Sequence, residues 1–174
     1  MDRILLTRFN TRYAQKIDRM VIVADDLEGT GMILRLHPDL MQQMVGKLCT
    51  WIEQTAAPAT MVKTKVVTTQ QREAYNDMAQ SQARVEKVQQ PMEPVRPKLF
   101  TRHSEPNSLS MTLKGKTLVV DFKDDAQELA TRIEIHKQGV RQWLDILHRH
   151  WQRSQWNQEV WPAWIAQAEK SVAH

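Results

Sequence analysis

The side chains best suited to chemistry or to anchoring a partner are histidines and tryptophans, six of each among 174 residues. Their densest cluster is RIEIHKQGVRQWLDILHRHW, Arg132 to Trp151. His148 and His150 stand two apart in a stretch that reads as a helix, which sets their side chains about 160° apart around its axis. They cannot share one metal ion, and the spacing of four used by a helical zinc pair is missing. His37 and His136 are a different case, because each ends an alternating strand just before a helix. Brought together, two such imidazoles would titrate near neutral pH or hold an anion beside the helix N-termini. The plainer expectation is a ring hydrogen-bonded locally where its strand ends.

Two acidic pairs, Asp25-Asp26 and Asp124-Asp125, fall in turn-like stretches. The oxygen-rich spacing of a calcium loop is absent, so they read as solvated turn residues. Gly29-Thr30-Gly31 lacks the further glycine and lysine of a phosphate loop, and no Gly-x-Ser-x-Gly elbow occurs. Cys49 lies at the edge of an apolar helical stripe, where a thiol usually packs rather than reacts. From these residues we expect no enzymatic activity, no cofactor and no metal.

Two groups remain as candidate contact residues. Trp156, Trp161 and Trp164 follow the second helix, where they either close the core or anchor a protein partner. Arg141, Arg149 and Arg153 run along that helix and give the alternative, a nucleic-acid-binding face that Asp145 interrupts.

These residues need elements to hold them. MILRLH and TRIEIH alternate with the two-residue period of half-buried strands. MVIVA and TLVVDF precede them as further strands, and SLSMTL joins the latter through Lys114-Gly115-Lys116, a glycine hairpin. RILLTRF is the N-terminal counterpart, with a connection expected from Asn10 to Asp18. Val140, Trp143, Leu144, Leu147 and Trp151 share about 100° of one helical face, and Leu40 to Ile52 carry a wider stripe. Sliding the chain on itself by 99 residues lays Val21–Glu53 over Val120–Gln152 with six identities in thirty-three positions, His37/His136 among them. The expected fold is therefore α+β: a duplicated three-stranded antiparallel meander followed by an amphipathic helix, with the helices packed on the sheet. Such duplication commonly gives approximate twofold symmetry.

The chain then divides into a first half (1–53), a polar, proline-containing linker or insertion (54–107), and a second half with a Trp-rich C-terminal helix (108–174). In the middle segment Met61–Thr69 reads as an edge strand, and Gln70–Gln90 is polar with sparse apolar residues. The formal charge of +4 does not mark either half as basic: seven Lys/Arg face seven Asp/Glu in 1–53, eight face five in 54–107, and nine face eight in 108–174. No run of eighteen apolar residues appears, so no membrane span is expected. A single cysteine excludes an internal disulfide and suits the cytoplasm. The reading that results is a small non-enzymatic cytoplasmic protein that binds a protein partner as adaptor, inhibitor or regulatory subunit, with nucleic-acid binding as the alternative. Oligomeric state is not legible.

Overall fold

The computed structural model describes residues 1–55, 69–89, 95–98 and 100–166. The fold is α+β. Seven strands form one mixed sheet: β1 (Asp2–Ala14), β2 (Arg19–Asp26), β3 (Gly31–Leu36), β4 (Thr101–Ser104), β5 (Ser108–Lys114), β6 (Thr117–Asp124) and β7 (Leu129–His136). Their spatial order is β4-β3-β2-β1-β7-β6-β5. Packed with them are the helices α1 (Pro38–Gln54), α2 (Thr69–Gln89) and α3 (Lys137–Trp151), and a last helical turn starts at Ala163.

Local chemistry explains most element ends. His37 caps α1, its Nδ1 accepting the Asp39 N–H at 3.4 Å, with Pro38 in the first turn and Asp39 at the positive end of the helix. Gly115 takes φ +62 in the two-residue turn between β5 and β6, a conformation that favours glycine. β1 is longer than its sequence suggests. It runs on through Asn10–Ala14, paired with Val23–Arg19, and the chain turns only at Gln15–Asp18. Phe9, Thr11 and Tyr13 share the inner face there, while Arg8, Asn10 and Arg12 point outward, which gives a strand the polarity of a loop.

β1 to β3 and β5 to β7 are each antiparallel runs that lead into a helix, and they meet at unlike strands, β1 and β7. β1 lies parallel to β7, with Leu6 opposite Ile133, so the halves follow one another head to tail across the sheet. The 99-residue match also breaks down in β2 and β6. Asp25 pairs with Gly31, whereas Asp124 pairs with Leu129, one position short of the offset. A one-residue change of register moves every side chain to the other face. Val21 accordingly packs outward against Val95, while its matched residue Val120 joins the main core. The structure thus leaves the duplication unconfirmed.

β4 and β5 are consecutive, separated only by Glu105-Pro106-Asn107, yet they lie at opposite edges of the sheet. β4 pairs with β3 and β5 with β6. Ser104 Oγ nevertheless donates to Asp124 Oδ2 of β6 at 2.8 Å, and Gln127 Nε2 to the His103 carbonyl at 3.0 Å. The sheet is therefore curled until its two edges meet. Inside the curl, α1 and α3 bury their apolar stripes against Met20, Ile22, Leu34, Val120, Phe122 and Ile133 in one continuous core.

The middle segment is more than a linker. α2 lies along α3, and the chain after it crosses the outer face at Val95 before forming β4. The side of α2 that faces α3 is polar: Asn76, Gln80 and Arg84 are buried there, with Ala83. The expected edge strand at Met61–Thr69 lies outside the described residues except for Thr69, which begins α2. Among the described residues no helix is long and apolar enough to cross a membrane.

Candidate functional site

The two contact groups expected from sequence are largely consumed by the fold. Trp161 is 8% and Trp164 5% exposed, both within the main core. Trp151 stacks edge-on against Trp156 and Trp161, at 4.8 and 5.5 Å between ring centroids. Trp156 is half-buried, and its Nε1 donates to Asp18 Oδ1 at 2.7 Å. These aromatics close the open end of the core, because a small domain gains more from burying indole than from displaying it.

Of the arginines along α3, only Arg141 is covered. Arg141 is buried, and its Nη2 donates to Asn76 Oδ1 at 2.8 Å. Asp145, which interrupts the face in the sequence, is a buried hub. Arg84 Nε donates to its Oδ1 at 2.7 Å, and Arg149 reaches its Oδ2 from one turn along. Arg153 stays exposed at the helix end. Three arginines that looked like one stripe therefore have three different surroundings.

His37 and His136 end β3 and β7, with β2 and β1 between them. At about 4.8 Å per strand that is a separation of roughly 14 Å, too far to share an anion. His37 caps α1, and His136 Nδ1 lies 3.5 Å from Thr117 Oγ1. On α3, His148 is buried edge-on against Trp161, and His150 Nδ1 accepts the Tyr13 N–H at 3.4 Å. Burial first, then Arg153 and Arg149, hold His150 below its ordinary value.

The acidic pairs are not simple solvated turns. Asp26 and Asp125 do sit in turns, Asp26 Oδ1 accepting the Glu28 and Thr30 N–H groups at 2.9 and 2.8 Å. Asp25 and Asp124 are buried. Burial works to raise Asp25, but Lys98 at 3.0 Å and Arg8 at 2.6 Å outweigh it, so its carboxyl stays below the usual range. Asp124 balances burial against donors from Ser104, Glu105 and Gln127 with the same result. In each pair one carboxylate is buried and its neighbour is more exposed, a difference that identical residue types side by side do not announce.

What the structure assembles instead is a charged outer face. The register places Arg8 and Arg12 with Asp25 and Val21 on that side, and Arg3 with Ala130. Arg132 lies opposite Asp121, and Arg35 belongs to the same face on β3. Arg132 grips Asp121 through two bonds of 2.8 Å, which hold that carboxyl below its ordinary range, helped by Arg3 and Lys123 nearby. Glu134 is the exposed acid there. Arg3, Arg12 and Lys123 pair with no carboxylate among the described residues. A convex sheet face with unmatched guanidinium groups attracts an acidic surface. In the sequence these residues are spread over the whole chain, and only the strand pairing of distant segments collects them.

The chain matches no family model, and comparisons with curated proteins and with solved structures find no match. Among the described residues no three His, Cys, Asp or Glu side chains cluster in the manner of a metal site.

Proposed function

We propose that this is a non-enzymatic binding protein, regulatory or adaptor in role, that engages an acidic patch of a partner protein through the outer face of the sheet. The observation that carries the reading is the set Arg3, Arg12 and Lys123, exposed or half-exposed cations that pair with no carboxylate among the described residues. Around them the pairs Arg132–Asp121 and Arg8–Asp25 lock neighbouring side chains into fixed positions. Fixed ion pairs between free arginines make a mixed pattern of charge, which suits a folded protein surface better than a uniform run of phosphates. Among the described residues, β1, β2, β6 and β7 turn no Phe, Tyr or Trp to this face as a platform on which unpaired bases could stack. Cys49 is buried, and its thiol is pushed up to about 12 by burial and then by Glu53, an inert state compatible with life in the cytoplasm.

The test is affinity capture from source lysate with the wild type and with an Arg3→Glu/Arg12→Glu double variant, each with and without nuclease. A protein that survives nuclease, is released by moderate salt and is lost from the double variant supports the reading. Equal capture by both forms removes the sheet face from consideration. Recovery of nucleic acid alone, or loss of every partner on nuclease treatment, replaces it with a polynucleotide-binding role on the same face.

A further inference from the structure

We propose that β5 is a self-association edge, at which two copies of this chain join by antiparallel pairing of their β5 strands with Met111 on the twofold axis. The edge is distinct from the charged outer face of the sheet and does not rest on the reading given for that face.

β5 is the last strand in the sheet order, beside β6. It meets β6 through the two-residue turn Gly115-Lys116, so Lys114 and Thr117 form a hydrogen-bonded pair. From there the antiparallel pattern alternates, and the N–H and C=O groups of Leu109, Met111 and Leu113 point away from β6. Among the described residues no backbone bond reaches these groups. Proteins normally guard such an edge with shortness, charge, proline or a bulge. β4, at the other end of the sheet order, has that protection, being four residues long with Arg102 and His103 exposed. β5 runs for seven residues and carries no charge and no proline before Lys114.

The strand also matches itself. Leu109, Met111 and Leu113 stand opposite Phe122, Val120 and Leu118, which belong to the core face. Leu109 and Met111 lean on the core, whereas Leu113 is 51% exposed. With Met111 on the axis, Leu113 of each copy faces Leu109 of the other, and the apolar inner face continues across the join. This register also satisfies every open N–H and C=O group of the three residues, Met111 with Met111 and Leu109 with Leu113. On the opposite face Ser110 comes beside Thr112 of the second copy, a pair that hydrogen-bonds across strands. Charge fixes the direction. The exposed Lys114 and Lys116 stand at one end of β5, and the exposed Glu105 precedes the other. Antiparallel pairing lays each lysine end along the Glu105 end of the second copy, twice by symmetry, whereas parallel pairing sets lysines against lysines.

Sedimentation equilibrium of the full chain from micromolar to millimolar concentration measures the balance of monomer and dimer. Amide exchange by NMR reads Leu109, Met111 and Leu113 at both extremes. The expected result is a reversible dimer, with protection of these amides rising as the protein is concentrated. Leu113→Lys sets a cation into the join from both sides and should raise the dissociation constant by about tenfold or more. Met111→Pro removes an outward N–H and no bond to β6, so circular dichroism should show an intact fold while the dimer is lost. Glu105→Lys should weaken the dimer by about fivefold, and adding Lys116→Glu to it should restore the wild-type value. A monomer at every concentration overturns the proposal, as does a dimer that Leu113→Lys and Met111→Pro both leave intact. Amides already protected in the dilute monomer overturn it too, because the chain itself then covers the edge.

Discussion

His150 shows how one side chain on α3 ties the charge state of the protein to the position of β1. Its Nδ1 accepts the Tyr13 N–H, which requires an unprotonated nitrogen there, and burial holds the ring below the ordinary imidazole value. The folded state thus binds this proton less readily than the unfolded chain does. The resulting stability is complete above the unfolded value and is lost as pH falls through the lower, folded one. Melting temperature should therefore decline as pH falls below the ordinary imidazole range, and His150→Gln should flatten that slope. An unchanged slope in the variant would assign the effect to other groups. Little of this was legible in the sequence, where His148 and His150 were simply two histidines on opposite sides of one helix. The difference arises because Trp161 comes back over one ring and β1 over the other, and both contacts are distant along the chain.

At the level of elements, α2 is the unusual piece. Its buried side is Asn76, Gln80, Ala83 and Arg84, so ionic and amide bonds do the holding that an apolar stripe normally does. Gln80 Nε2 donates to the Arg141 carbonyl at 2.7 Å, and Gln142 Nε2 to the Ala83 carbonyl at 3.2 Å. This is why hydrophobic periodicity found α1 and α3 but left the middle segment as a linker or insertion. The central joint is Asp145 between Arg84, which is buried, and Arg149, which is half in solvent. Removing the shared carboxylate strands a buried guanidinium, so Asp145→Ala should cost about 3–5 kcal/mol in chemical denaturation. Arg149→Ala removes a solvated partner and should cost less than about 1 kcal/mol. Equal losses in the two variants would mean that Arg84 is not the buried member of the joint. The strands were better legible, since period two fixes a strand whichever partner it finds. Their faces were not, because register depends on the partner.

The whole molecule is a single sheet that both halves of the chain build together. The head-to-tail arrangement gives each half an open strand edge in the middle, β1 on one side and β7 on the other, joined from Asp2–Leu129 to Leu6–Ile133. Residues 1–53 and 108–174, produced separately, should therefore remain unfolded or aggregate, and together with the middle segment they should melt in one cooperative step. Circular dichroism of the fragments and of the full chain checks this, and a folded isolated half would contradict it. The sequence supplied the fold class, both core helices and most strands. It could not supply the parallel join, because a parallel pair has no turn to announce it.

That join also sets an order of events during synthesis. β1 emerges from the ribosome before the other strands, but Leu6 cannot meet Ile133 until all the residues between them have followed. Until then β1 presents an unpaired margin to its surroundings, and closing so long a loop is slow. The centre of this sheet is thus its last part to be completed. The newborn chain needs protection there for longer than at either margin.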